Sequence, residues 1–285
     1  MSKRINNALK CIPVYLWLIV FTVVPLLMVF FYAIFEVKDD GGIRFTLDFL
    51  KDAVTNGQYL DAMLRSLEYA LISTLVCLVL GYPLAYILAH MEERKRNFIS
   101  VLFLLPMWMN FLIRTYALSS LINEQGVITK FLQWLGVIEG SITGTEAAIV
   151  IGMVYNFLPF MILPVYTSML KIDNRLIEAA RDLGSNSFIV FKKIILPLSL
   201  PGVISGITMV FVPCIPTFVI PQLLNNKVWT IGSLIEFQIN GNANSAGGVN
   251  NTAAAISFIL MIIVFICMSI FSKFDSDGAE NGGLM

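Results

Sequence analysis

Long apolar runs separated by polar stretches recur six times along the chain, near residues 12–35, 67–90, 98–120, 147–170, 198–222 and 253–272. Each holds about the twenty residues that a helix needs to cross roughly 30 Å of hydrocarbon. The pattern predicts an all-α, polytopic membrane protein with about six transmembrane helices, one transmembrane domain over 1–285, and both termini on the same side. The first run follows Lys3, Arg4 and Lys10, as a secretory signal would. It exceeds the apolar core of about 7–15 residues found in signal peptides and no A-x-A-like site follows, so it is expected to stay as an anchor. Pro25, Pro83, Pro106, Pro159, Pro164, Pro213 and Pro216 fall inside the runs. Each removes a backbone hydrogen bond that neighbours or a cavity must replace, so the fourth and fifth helices are expected to be kinked or broken.

Basic residues divide unevenly among the loops. With the N-terminus inside, the cytoplasmic side holds Lys3, Arg4, Lys10, Arg94, Lys95, Arg96, Lys171, Arg175, Arg181, Lys192, Lys193 and Lys273, and the outer side holds Lys38, Arg44, Lys51, Arg65, Lys130 and Lys227. This bias predicts that both termini are cytoplasmic, as is the long polar loop 171–197. Within that loop Asp173 is placed to cap a helix from Asn174 to Leu183, with Leu176, Ala180 and Leu183 on one face and Arg175, Glu178 and Asp182 on the other. Gly184 ends it in the left-handed conformation. Ser185 or Ser187 starts a second helix over Phe188 to Leu196, and Pro197 and Pro201 punctuate the entry to the fifth span. Periodicity alone fits an amphipathic segment on the inner leaflet equally well.

Composition agrees with a lipid environment, since 57% of residues are hydrophobic and only 13% charged, with a formal net charge of zero. A nucleic-acid partner is not indicated. The cysteines Cys11, Cys77, Cys214 and Cys267 form no C-x-x-C pair and read as small apolar residues, not as disulfides or metal ligands. His90 is the only histidine and reads as an interfacial residue, while Met91, Met107, Met109, Met153, Met161 and Met169 read as packing. No G-x-x-x-x-G-K-[ST] occurs, so this chain has no phosphate-cradling loop of that kind and is not expected to be an enzyme. Arg114 is the one charge well inside a span; it is expected to snorkel outward or to pair with an acid such as Glu124 or Glu146.

Glu178-Ala179-Ala180, then Gly184, Ile194 and Leu196-Pro197, reproduce the spacing of the EAA signature and resemble the permease subunits of bacterial ABC importers. The resemblance extends over "LPMWMNFLIRTYA" (105–117), "IGMVYNFLPFMILPVYTSMLKID" (151–173) and "FVIPQLL" (218–224), which look like the spermidine/putrescine branch of that family. It implies a type I ABC importer permease fold in the bacterial cell membrane. It also implies a homologous second permease subunit, a cytoplasmic ATPase dimer that uses ATP and Mg, an extracytoplasmic substrate-binding protein, and a polyamine substrate. By the same resemblance the loop 171–197 is the helix that docks on the ATPase, through Glu178, Ala179, Ala180, Asp182, Gly184 and Pro197. Thr217 departs from the pattern, standing where an acid is common, as does the asparagine-rich stretch 240–252.

A polycation at mid-membrane needs carboxylates or aromatic faces, because an unpaired charge there costs at least several kcal/mol. This chain's share of a path is therefore expected at Trp108, Tyr116, Tyr155, Asn156, Phe160, Thr217 and Phe218, with Glu236 at the outer mouth. The decisive acids are expected on partner subunits. The segment 223–240, with Trp229, Ile231, Leu234, Ile235 and Phe237, suggests a short amphipathic piece near the outer leaflet. An importer permease for another small solute is a second reading. An ion-coupled carrier or channel acting alone is a third, against which stands the lack of an acid in the middle of any run.

Overall fold

Inside hydrocarbon a backbone has no hydrogen-bond partner but itself, which leaves the apolar runs little choice but helix. The structure is a computed structural model that describes residues 13–37, 42–241 and 250–282. Lys3, Arg4, Lys10, Cys11, Lys38, Asp39, Asp40 and most of the stretch 240–252 lie outside the described residues. In chain order the elements are α1 (Pro13–Ile34), a hairpin of β1 (Phe35–Val37) and β2 (Ile43–Phe45), α2 (Asp48–Thr55), α3 (Gly57–Ala89), α4 (Glu93–Trp108), α5 (Phe111–Ile122), α6 (Val127–Trp134), α7 (Glu146–Met169), α8 (Asn174–Asp182), α9 (Ser187–Cys214), α10 (Val219–Leu224), α11 (Ile231–Gly241) and α12 (Asn251–Gly282). Among the described residues five helices are long and apolar enough to span a membrane: α1, α3, α7, α9 and the stretch Asn251–Lys273 of α12.

The remaining expected span departs from the sequence reading. Residues 98–120 are not one rod; α4 and the following Phe111–Trp134 are bent by 96° at a short break. Asn110 makes the break locally, since its Oδ1 accepts from the backbone N–H groups of Leu112 at 2.9 Å and Ile113 at 3.3 Å and so caps α5. The fourth span, expected to be kinked or broken, runs unbroken from Glu146 to Met169 with Pro159 and Pro164 inside it. The fifth ends at Cys214, and the chain re-enters helix only at Val219.

The chain divides into two compact units. One comprises residues 1–61 and 234–263. In it β1 and β2 pair antiparallel with Glu36 opposite Arg44, the Asn251 amide donates to the Phe35 carbonyl at 2.8 Å, and the rings of Phe30 and Phe258 meet at 5.3 Å. The other comprises residues 62–233 and 264–285, and its core is the pairing of α7 with α9. Lipid tails are as apolar as leucine, so close packing, not water exclusion, holds spans together, and small residues permit it. Gly202 and Gly206 on α9 do this: a Cβ on Gly202 would stand 2.4 Å from Ser168 Cβ and 2.6 Å from the Pro164 carbonyl oxygen, and one on Gly206 would stand 2.8 Å from Met161 Sδ. Gly81 of α3 faces the same methionine, with Cγ at 2.9 Å from its would-be Cβ. Met161 is therefore fully enclosed.

Candidate functional site

The loop 171–197 is built from strong local signals. Asp173 accepts from the Arg175 N–H at 2.9 Å, which caps α8 at its start as the sequence predicts. At its end Gly184 has φ +80°, its N–H donates to the Arg181 carbonyl at 2.9 Å, and the Ser185 N–H donates to Ala180 at 3.0 Å. This paired closure is the Schellman motif. A Cβ at Gly184 would meet nothing within 4 Å, so only the backbone conformation demands glycine there. The next helix starts at Ser187, one of the two expected positions, and its cap is Asn186, whose Oδ1 accepts from the Ile189 N–H at 2.8 Å.

The helix that follows is continuous with the fifth span, so Pro197 and Pro201 do not punctuate it. A π turn over Phe191–Ile195, closed by the Leu196 N–H on the Phe191 carbonyl, resets the ladder just ahead of Pro197. Pro197 then occupies the first positions of the next α segment, where its missing N–H costs nothing. The faces of α8 also differ from the periodicity reading. Ile177 and Ala180 are half-buried toward the rest of the unit, while Leu176 and Leu183 point away, Leu183 being 87% exposed. Glu178, Ala179, Asp182 and Gly184 are exposed, as are Phe188 and Pro197. Glu178 lines a cavity of about 210 Å³ with Tyr86, His90 and Arg181.

Among the described residues Arg114 neither snorkels nor meets an acid. It is 5% exposed; its Nε donates to Asn156 Oδ1 at 2.8 Å and its Nη1 to the Pro106 carbonyl at 2.8 Å, and its Cζ lies 5.8 Å from the Phe111 ring centroid. Glu146, one of its expected partners, instead pairs with Arg65 at 3.5 Å in an exposed contact. The guanidinium satisfies a carbonyl at the C-terminal end of α4, where a cation is favoured by the helix dipole. Asn156 completes the cluster, donating to the Gly152 carbonyl at 2.8 Å and to Thr115 Oγ1 at 3.4 Å. Its amide is thus committed at both oxygen and nitrogen.

The remaining candidates are spread over several elements. Trp108 ends α4 and is 79% exposed; Tyr116 on α5 and Tyr155 on α7 are exposed as well. Phe160 is half-buried on α7, and Thr217 and Phe218 occupy the non-helical gap between α9 and α10. Glu236 belongs to the other unit, where its carboxylate accepts from Asn240 at 2.5 Å. In the expected outer amphipathic piece, Ile231 and Leu234 are buried and Phe237 is exposed. Two features escaped the sequence reading and were available to it: the small-residue spacing Gly202-x-x-x-Gly206 and the cap Asn110.

Residues 81–276 match the family described as binding-protein-dependent transport system inner membrane component. The spermidine/putrescine transport system permease protein PotB of Escherichia coli K12 is 38% identical over 256 residues, covering 87% of this chain and 92% of that protein. The protein of the same description from Haemophilus influenzae is 35% identical over 275 residues, covering 93% of this chain and 94% of its own length. The crystal structure of a bacterial ABC transporter involved in the import of the acidic polysaccharide alginate contains a chain similar to this one, with a TM-score of 0.74 and 14% identity, covering 97% of this chain and 96% of that one. That last likeness concerns the fold.

Proposed function

The chain belongs to the family of binding-protein-dependent transport system inner membrane components and is an ABC importer permease, and from that premise we propose that its cargo is a polyamine, spermidine or putrescine. The observation that carries the cargo is the 38% identity to a spermidine/putrescine permease over nearly the full length of both chains. The proposed assembly joins this chain to a homologous second permease, a cytoplasmic ATPase dimer that uses ATP and Mg, and an extracytoplasmic binding protein. A lone carrier does not fit the family. Both termini and the loop 171–197 are assigned to the cytoplasm by the distribution of Lys and Arg.

The ATPase contact is assigned to Glu178, Ala179, Ala180, Asp182, Gly184 and Pro197. Support comes from α8 itself, a rigidly capped helix that buries none of its residues and holds Leu176 and Leu183 outward. Such an exposed apolar pair gains by meeting a protein surface. The path is assigned to Trp108, Tyr116, Tyr155, Phe160, Thr217 and Phe218, backed by Asn156, with Glu236 at the outer mouth. Aromatic faces offer a passing ammonium about 0.5–2 kcal/mol each, weak enough for release.

The test is substrate-stimulated ATP hydrolysis by the reconstituted assembly. Binding protein loaded with spermidine or putrescine is expected to raise the rate well above that with empty binding protein. Stimulation only by a different solute overturns the cargo but leaves the family mechanism standing, and no stimulation by any loaded binding protein overturns both.

A further inference from the structure

Helix α6 is built inside out for a surface in water. On a soluble protein a surface helix buries its apolar stripe and shows polar side chains to solvent. In α6 the apolar Val127, Phe131 and Trp134, spaced i, i+4 and i+7, form one stripe and are all exposed, Trp134 by 80%. The uncharged polar side chains serve the protein instead. Thr129 is fully buried with its hydroxyl donating to the Ile122 carbonyl at 2.7 Å, and the Gln133 amide donates to the Gly140 carbonyl at 3.3 Å. Gly126 closes the turn from α5 tightly, because a Cβ there would collide with the Leu121 carbonyl, so the direction of the stripe is fixed. The rings of Phe131 and Trp134 stack with centroids 6.2 Å apart, and exposed Leu135 and Val137 continue the patch.

The place of α6 in the fold says what covers this stripe. Met91 ahead of α4 and Arg96 in its first turn line one cavity with Leu170 and Asn174, so α4 starts on the side of the loop 171–197. Its 16 residues give it about 24 Å of length, most of the roughly 30 Å of hydrocarbon. At the far end the chain turns by 96° into Phe111–Trp134, so α5 and α6 run along the opposite membrane surface and not through it. Helix α5 already holds Leu112, Ile113 and Leu121 outward, and α6 extends that apolar surface. Comparison with α8 separates lipid from protein as the occupant. There the exposed Leu176 and Leu183 share the surface with exposed Arg175, Glu178, Arg181 and Asp182, the mixed character of a protein contact. On α6 the single charge is Lys130, at the edge of the stripe. A lysine so placed lays its stem on apolar surface and keeps its ammonium among headgroups.

We infer that α6 is an interfacial anchor, its stripe of Val127, Phe131 and Trp134 seated in the leaflet opposite the loop 171–197, at the boundary between acyl chains and headgroups. Tryptophan suits that boundary, where one part of the ring meets hydrocarbon and its N–H meets polar groups. An amphipathic helix lying there sinks its apolar face by about 5–10 Å. The anchor holds the end of α5, and with it Tyr116, at a set depth. That consequence for the path rests on the proposed assignment of Tyr116, whereas the lipid contact rests on no cargo.

The experiment measures depth in the full-length chain, first alone in phosphatidylcholine discs and then assembled with the second permease and the ATPase. Val127→Cys carries a nitroxide in a chain whose Cys11, Cys77, Cys214 and Cys267 are replaced by alanine. Collisions of the label with oxygen, which partitions into lipid, are compared with those of a water-soluble nickel chelate. Oxygen is expected to exceed nickel by about twofold or more in both preparations, as for a group several Å below the headgroups. Trp134 supplies a second reading in the chain that keeps its cysteines. The emission quenching lost in Trp134→Phe is expected to be larger for phosphatidylcholine brominated near the glycerol end of its acyl chains than for lipid brominated near their methyl ends. Nickel exceeding oxygen at the label overturns the anchor, as does a Trp134 quenched by aqueous acrylamide and by neither brominated lipid. A label open to oxygen in the lone chain but shielded from both reagents in the assembled transporter also overturns it and gives the stripe to a protein contact. Neither measurement uses polyamine or ATP hydrolysis, so the anchor and the proposed cargo fail independently of each other.

Discussion

Arg114 is a buried cation whose identified partners are all neutral: an amide oxygen, a backbone carbonyl and an aromatic face. Its worth is therefore set by the acceptors it satisfies more than by an ion pair. Arg114→Leu is expected to lower stability by about 1–3 kcal/mol, because buried Asn156 Oδ1 loses its donor and the Pro106 carbonyl keeps only the Met109 N–H at 3.3 Å. Arg114→Lys is expected to fall between the two, since a single ammonium lacks the fork that reaches both acceptors. Thermal unfolding in detergent checks the order. The glycines of α9 make a second graded comparison. At Gly202 a new methyl meets Ser168 Cβ and a backbone oxygen, which cannot yield without moving α7; at Gly206 its nearest neighbour is the Met161 sulfur, the flexible end of a thioether. Gly202→Ala should therefore cost more than Gly206→Ala, with Gly202→Leu costing about 1–3 kcal/mol or more, again read from melting of the purified protein.

Helix α8 is an element in which local chemistry fully specifies the shape: an aspartate cap opens it and a Schellman closure on Gly184 ends it. Because open space surrounds the missing Cβ of Gly184, substitutions there probe the backbone alone. Gly184→Val forces a β-branched residue to φ +80°, a strain on the order of 1–3 kcal/mol, and should redirect the chain between α8 and α9. The expected result is a protein at normal membrane levels that loses substrate-stimulated ATP hydrolysis and uptake. Gly184→Asn, which tolerates the left-handed region, should keep most of both. Wild-type uptake in the valine variant would remove the coupling role from this loop. Glu178→Ala should act differently, weakening the ATPase contact without altering the fold of α8, as read from ATPase co-purification beside an unchanged melting temperature.

At the scale of the whole molecule, Tyr155→Ala or Trp108→Ala should slow polyamine uptake while leaving the affinity of the binding protein unchanged, because each removes a surface contact and neither packs the core. Thr217→Glu should retain substrate in the path and lower turnover, measured as slower release of labelled spermidine from the assembled transporter. The sequence by itself determined that this chain is a bundle of membrane-spanning helices, because hydrocarbon accepts only backbones that satisfy themselves, and run length alone reports that. It also determined both ends of α8, since caps act over a few residues: Asp173 reaches Arg175, and Gly184 closes onto Arg181. Tertiary structure alone decided the rest. Arg114 and Asn156 are 42 positions apart, and no local periodicity tells a guanidinium to choose an amide and a carbonyl over an available acid. Likewise the outward turn of Leu176 and Leu183 and the passage of α9 through Pro197 arise from how distant helices meet. Contacts between spans depend on shape at close range, where one glycine decides how near two helices come, and the hydrophobic pattern along a chain carries no record of that distance.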